Sequence, residues 1–126
     1  MRAARYDRYG PPEVLYEGTL PKPVAGPGEV LVRVHAAGVN GGESLARTGR
    51  VRLVTGRSFP QGTGVDFVGE VAALGSPMSA LSVGDRVWGL LPRGSFGSAA
   101  EFVAVRPRRL AFAPKGLDPV QAVTLL

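Results

Sequence analysis

Three glycines, 62, 64 and 69, crowd the apolar stretch PQGTGVDFVGEV over residues 60 to 71. Glycines at that density suggest phosphate chemistry, because bare backbone N–H groups can cradle a pyrophosphate at the start of a helix. The dinucleotide fingerprint requires G-x-G-x-x-G between a strand and a helix. Here Phe67 stands where the third glycine is needed, and the following VGEVAALG, rich in valine and closed by a glycine turn, reads as a strand. A phosphate loop is not expected, so the glycines need another explanation.

The other residues able to do chemistry are few. The chain has no cysteine, which excludes disulfides, thiolate zinc sites and a cysteine nucleophile. Its one histidine, His35, cannot build a zinc site alone. With no carboxylate or serine placed beside it, His35 is read as a half-exposed strand residue. Asp66 is expected to fix local backbone by accepting hydrogen bonds, with an acid–base role as the alternative. Glu43 can hold its loop or relay a proton; an exposed, structural carboxylate is the expectation. Ser44 either donates to a substrate or caps the following turn, and capping is preferred. Trp88 lines a cleft or packs in the core.

Elements must position these groups. Eighteen glycines and eleven prolines in 126 residues leave pieces too short for ordinary helices and predict short strands joined by turns. The strands are expected at 2–7, 14–20, 29–39, 66–75, 86–91, 99–105 and 110–113. In the third, Val30, Val32, Val34 and Ala36 form the buried face, opposite Leu31, Arg33, His35 and Ala37. This pattern predicts an all-β barrel or sandwich, with one helical turn over 44–48. A helix is expected to start at the C-terminal end, with Asp118 as N-cap and Pro119 in its first position.

A composition of 44% apolar and 20% charged residues fits one soluble globular domain. No run of 18 apolar residues and no signal peptide is apparent, so a cytoplasmic location is expected, with no membrane partner. The net charge of +5 comes from 13 arginines and two lysines. Because the arginines are scattered among ten acids, with no recognition helix or aromatic-basic motif, nucleic acid is not expected as a ligand. Arg47, Arg50, Arg52 and Arg57 stud one loop, read as solvated, with attraction of an anionic cofactor or substrate as the alternative.

Four stretches taken in order, GPGEVLVRVHAAGVN at 26–40, GTGVDFVGEVAALGS at 62–76, VGDRVWGL at 83–90 and GSFGSAAEFVAV at 94–105, resemble the N-terminal GroES-like domain of medium-chain dehydrogenases/reductases. The likeness is greatest to the zinc-independent quinone oxidoreductase branch, and residues 47–69 are similar to NAD(P)-dependent alcohol dehydrogenases. The resemblance implies a mainly β, partly open GroES-like barrel over residues 1–114. It makes 115–126 the start of a linker helix toward a Rossmann domain absent from these residues. It also explains the glycines, as places where a strand at the cleft edge bends and packs closely.

Residue by residue, the zinc-binding Gly-His-Glu of the metal enzymes corresponds to Gly64-Val65-Asp66, and their zinc cysteine to Asn40. No catalytic zinc is therefore expected. The resemblance places Asn40 near the nicotinamide, against a plain turn-forming role before Gly41-Gly42. Glu43 stands where relatives usually carry Asp. Leu45 replaces a Tyr or Lys able to reach the cofactor, and Gly41-Gly42 replaces Pro plus an apolar residue, which predicts a looser loop. Ser44, Leu45 and Trp88 are expected to wall the substrate pocket, with Glu43 and Asp66 as weak candidates for proton chemistry.

The expected function is that of the substrate domain of a zinc-independent reductase using NADP(H), acting on quinones, enones or carbonyls by hydride transfer. Residues 1–126 alone are expected to bind the cofactor poorly and to be inactive or nearly so. The resemblance also implies a homodimer as a partner state, usually built in this family through the cofactor domain. The alternative is a stand-alone GroES-like binding or assembly module without redox activity.

Overall fold

A computed structural model describes residues 1–56 and 58–126; Arg57 lies outside the described residues. The described residues form two open antiparallel sheets with three short α-helices. The smaller has the order β2-β1-β4, from β1 (Arg2–Tyr6), β2 (Tyr16–Thr19) and β4 (Gln61–Gly62). The larger has the order β7-β3-β5-β6-β8, from β3 (Val30–Ala37), β5 (Asp66–Leu74), β6 (Arg86–Leu90), β7 (Phe102–Val105) and β8 (Leu110–Phe112). A bridge between Ala3 and Ala100 ties β1 to the segment entering β7.

The seven expected strands are present within a few residues of their expected ends. The second is shorter, because Pro12–Val14 winds into a 3-10 turn, helped by the fixed φ of Pro12. Strand β4 carries no pattern of its own; only its pairing to Arg5 and Tyr6 makes it a strand. Helix α2 (Arg52–Thr55) was likewise not legible as a helix.

One core cluster joins Val30 and Val32 of β3, Phe67 and Val71 of β5, Val87 of β6 and Val103 and Val105 of β7. A second, on the opposite side, joins Val68, Ala113, Ala122 and Val123, with half-buried Ala36, Trp88 and Leu117 packed against them. Ala36 thus leaves the face expected from alternation. The register shifts between Val34, opposite Gly69, and Ala36, opposite Val68, so His35 is the extra residue of a β-bulge. One inserted residue turns the side chains beyond it to the other face. His35 itself is exposed. At this bulge Gly69 is fixed by space, since a Cβ there would overlap the Arg33 carbonyl.

Helix α3 (Pro119–Val123) begins as expected: Gln121 N–H donates to Asp118 Oδ1 at 2.8 Å, with Pro119 in the first position. It lays Ala122 and Val123 over Val68 and Trp88, and the Arg86 guanidinium donates to the Leu117 carbonyl ahead of it. Val120 and Leu125 remain exposed.

Candidate functional site

Strand β3 ends at Ala37, opposite Phe67, so the next residues run alongside the start of β5. There Asp66 is only 4% exposed. Its Oδ1 accepts from the Gly38 N–H at 2.8 Å and its Oδ2 from Asn40 Nδ2 at 3.1 Å. A carboxylate that deep needs such donors, because burying it unpaired is costly. Gly38 is the residue that allows the approach: a Cβ would sit 2.6 Å from Asp66 Oδ1. The expected backbone-fixing role of Asp66 is what the geometry displays.

Asn40 is the N-cap of α1 (Gly41–Arg47). Its own N–H donates to Glu43 Oε2 at 3.0 Å, one half of a capping box. The reciprocal approach of the Glu43 N–H to the Asn40 side chain completes the arrangement without reaching hydrogen-bond geometry. Asn40 is exposed. With one Nδ2 proton given to Asp66 and its carbonyl oxygen turned to the Glu43 N–H, the exposed amide keeps its second Nδ2 proton as a free donor.

Three expectations are corrected here. Glu43 is structural but not exposed: it is 5% exposed, and its Oε1 is buried without a hydrogen-bond partner. Its side chain folds back onto the Asn40 N–H at the start of the helix. Ser44 caps nothing, because the helix starts three residues earlier than the expected turn and Asn40 occupies the cap. Ser44 Oγ instead lies 3.5 Å from the Arg47 guanidinium. Gly41 and Gly42 form the first helical positions, not a loose loop; the capping interactions at Asn40 and Glu43 outweigh their poor helix propensity.

Leu45 is 42% exposed on the same helix. Trp88 faces Val68 across the β5–β6 ladder and packs in the cluster beneath α3, two residues along the same side of β6 from Leu90, the partner of Asp66. The structure therefore brings Asn40, Glu43 and Asp66 together, with Ser44 and Leu45 on the adjoining helix, and sets Trp88 deeper under α3. Gly38 was missed as a site residue. Its signal was present as the glycine ending the alternating run AAGVN, three residues before the Gly-Gly pair.

The helix is anchored from the N-terminal segment. Arg47 donates to the Gly10 carbonyl at 2.5 Å, Gly10 N–H returns a bond to the Arg47 carbonyl at 3.0 Å, and Tyr9 OH donates to the Gly56 carbonyl at 2.6 Å. Tyr9 also meets Phe59 edge-on, with ring centroids 5.0 Å apart. Among the described residues no group of three or more His, Cys, Asp or Glu side chains comes together.

Comparison with known proteins agrees with this architecture. Residues 26–115 match the model of the alcohol dehydrogenase GroES-like domain. The chain is 34% identical over 122 residues to a quinone oxidoreductase of Pseudomonas aeruginosa, covering 97% of this chain and 36% of that protein. It is 33% identical over 132 residues to a chloroplastic NADPH-dependent alkenal/one oxidoreductase of Arabidopsis thaliana, covering 99% and 34%. The solved quinone oxidoreductase of Coxiella burnetii superposes with a TM-score of 0.92 at 32% identity, over 98% of this chain and 40% of that one. The chain thus spans little more than a third of the length of these relatives. In sequence and in fold, it belongs to the alcohol dehydrogenase GroES-like domain family of the medium-chain dehydrogenases/reductases.

Proposed function

We propose that residues 1–114 form the substrate-side wall of a zinc-independent, NADP(H)-using oxidoreductase that reduces quinones, enones or carbonyls. In this reading the cofactor is held by a Rossmann domain outside these residues, and 115–126 lead toward it. The observation that carries it is the Gly38–Asn40–Asp66 constellation: a buried carboxylate holding an exposed amide at the mouth of the β3–β5 ladder. The Arabidopsis relative is named for NADPH and for alkenals and enones, the Pseudomonas one for quinones; both support the choice of cofactor and acceptor.

The residues present fit a nicotinamide carboxamide. Asn40 keeps a free Nδ2 proton, and Asp66 stops the amide from rotating. When bound, the dihydronicotinamide supplies a hydride. The work of this chain is to orient the acceptor carbonyl, with Ser44 and Leu45 on the adjoining face, and to exclude water. Trp88 backs that wall from beneath α3. Glu43 and Asp66 are the only buried carboxylates among the described residues, but Asp66 already accepts two hydrogen bonds, which suits an anchor better than a proton donor.

The donor set supports a zinc-free site, since the chain has no cysteine and one exposed histidine. Among the described residues no helix is long and apolar enough to cross a membrane, and the reading places the protein in the cytoplasm. Any homodimer would form through the cofactor domain. Exposed Phe112, Val120 and Leu125 offer apolar surface for a following domain.

The test joins residues 1–126 to the cofactor domain of the Pseudomonas relative and follows NADPH oxidation with a quinone and an enone. Turnover with at least one acceptor is expected, and a loss in kcat/KM of about tenfold or more in Asn40→Ala. No rate above that of the cofactor domain alone, with either acceptor, would refute the reading. The isolated chain is expected to bind NADPH weakly and to turn over nothing.

A further inference from the structure

Residues 41–65 contain four arginines, 47, 50, 52 and 57, and one acid, Glu43. That acid is buried and turned onto the Asn40 N–H, so no exposed carboxylate within the segment offsets its arginines. Arg47 is committed to the Gly10 carbonyl. Exposed Arg50 lies on the turn from α1 to α2, where its N–H donates to the Leu45 carbonyl at 3.0 Å, and exposed Arg52 begins α2. They line a concavity with Thr48, Gly49 and Leu53. Gly94 lies against Val54 of α2, which brings the loop of exposed Arg93 to the same lobe. Among the described residues both ion pairs belong to Arg2 of β1; no carboxylate lies within pairing distance of Arg50, Arg52 or Arg93.

Exposed guanidinium groups without carboxylate partners attract anions, and their planar fork matches a phosphate or carboxylate bidentately. Asn40 caps the start of α1 and Arg50 follows its end, and seven residues of α-helix span about 10 Å. We propose that the Arg50–Arg52 concavity is an anion subsite. It takes the phosphate or carboxylate of an elongated ligand whose other end lies at Asn40 and Asp66, so that anionic acceptors are favoured over neutral quinones. The identity of that other end as the reacting one rests on the redox reading above.

Inorganic pyrophosphate titrated into the isolated chain tests the subsite without turnover, so its outcome is independent of the redox assay. Backbone amide resonances of residues 48–54 and 93–94 should shift. The double variant R50A/R52A should raise the pyrophosphate Kd at least about tenfold, while R106A/R108A, at the exposed arginines of the β7–β8 turn, should leave it within about twofold. NADPH as a second probe separates the sources: a loss for pyrophosphate alone assigns the anion to the acceptor, and a matching loss assigns it to cofactor phosphates and overturns the preference for anionic acceptors. An unchanged Kd in R50A/R52A, or an equal loss in R106A/R108A, would mean diffuse attraction to a basic chain and would overturn the subsite.

Discussion

Asp66 shows how one residue type at one depth fixes a site. Its two oxygens accept from Gly38 and Asn40 at 2.8 and 3.1 Å, so Asp66→Asn must turn an amide donor toward one of those donors. A cost of about 1–3 kcal/mol is expected, read as a lower urea midpoint at unchanged slope. The same substitution frees Asn40 to rotate, so activity in the joined protein should fall more than stability does. Gly38→Ala should produce a similar loss from the opposite side, because its Cβ displaces the carboxylate. The presence of Asp66, Asn40 and Glu43 was readable in the sequence, and so was the anchoring role of Asp66. The burial of Glu43 was not: a carboxylate four residues before an arginine-rich loop reads as exposed until α1, of which it is the third residue, turns it back onto the Asn40 N–H.

At the scale of elements, the alternation of β3 and the valine-rich run of β5 made the central pair legible. The bulge at His35 was invisible, because an extra residue leaves no mark in the pattern of one strand; it exists only relative to its partner. Gly69→Ala, opposite that bulge, is expected to destabilise the domain by at least about 2 kcal/mol through overpacking against β3, measured by thermal or urea unfolding. The three-residue rise from the expected turn to the observed start of α1 has a similar origin, since capping by Asn40 and Glu43 overrides two glycines. At the other end, Asp118→Ala should cost about 1 kcal/mol and increase hydrogen exchange at the amides of α3 ahead of the sheets.

For the whole molecule, two groups tie stability to pH from opposite sides. Burial raises the pKa of Tyr6, with a further push from Tyr9 and an opposing pull from Arg47. Its folded form therefore holds the proton after the unfolded chain has lost it. That stability is complete below the ordinary tyrosine range and is lost as pH rises through it toward the folded value. Tyr6→Phe should flatten the alkaline limb of the unfolding midpoint against pH. Glu101 is shifted the other way, lowered chiefly by the hydrogen bond it accepts from the Arg2 backbone N–H at 2.6 Å. Its contribution is present above the ordinary carboxylate range and fades as pH falls through the lowered value; Glu101→Gln should remove that part of the acid limb. Composition and spacing alone implied short β strands, no cysteine chemistry and a capped helix at Asp118, while the family came from the resemblance of four ordered motifs. These are local properties, set by side-chain type and period. The tertiary structure alone decided which face Ala36 joins, that Glu43 is buried, that Gly38 yields its space to Asp66, and that Arg50 and Arg52 are left without acidic partners. Each of these is a distance between segments far apart in the chain, and no pattern within a single segment encodes it.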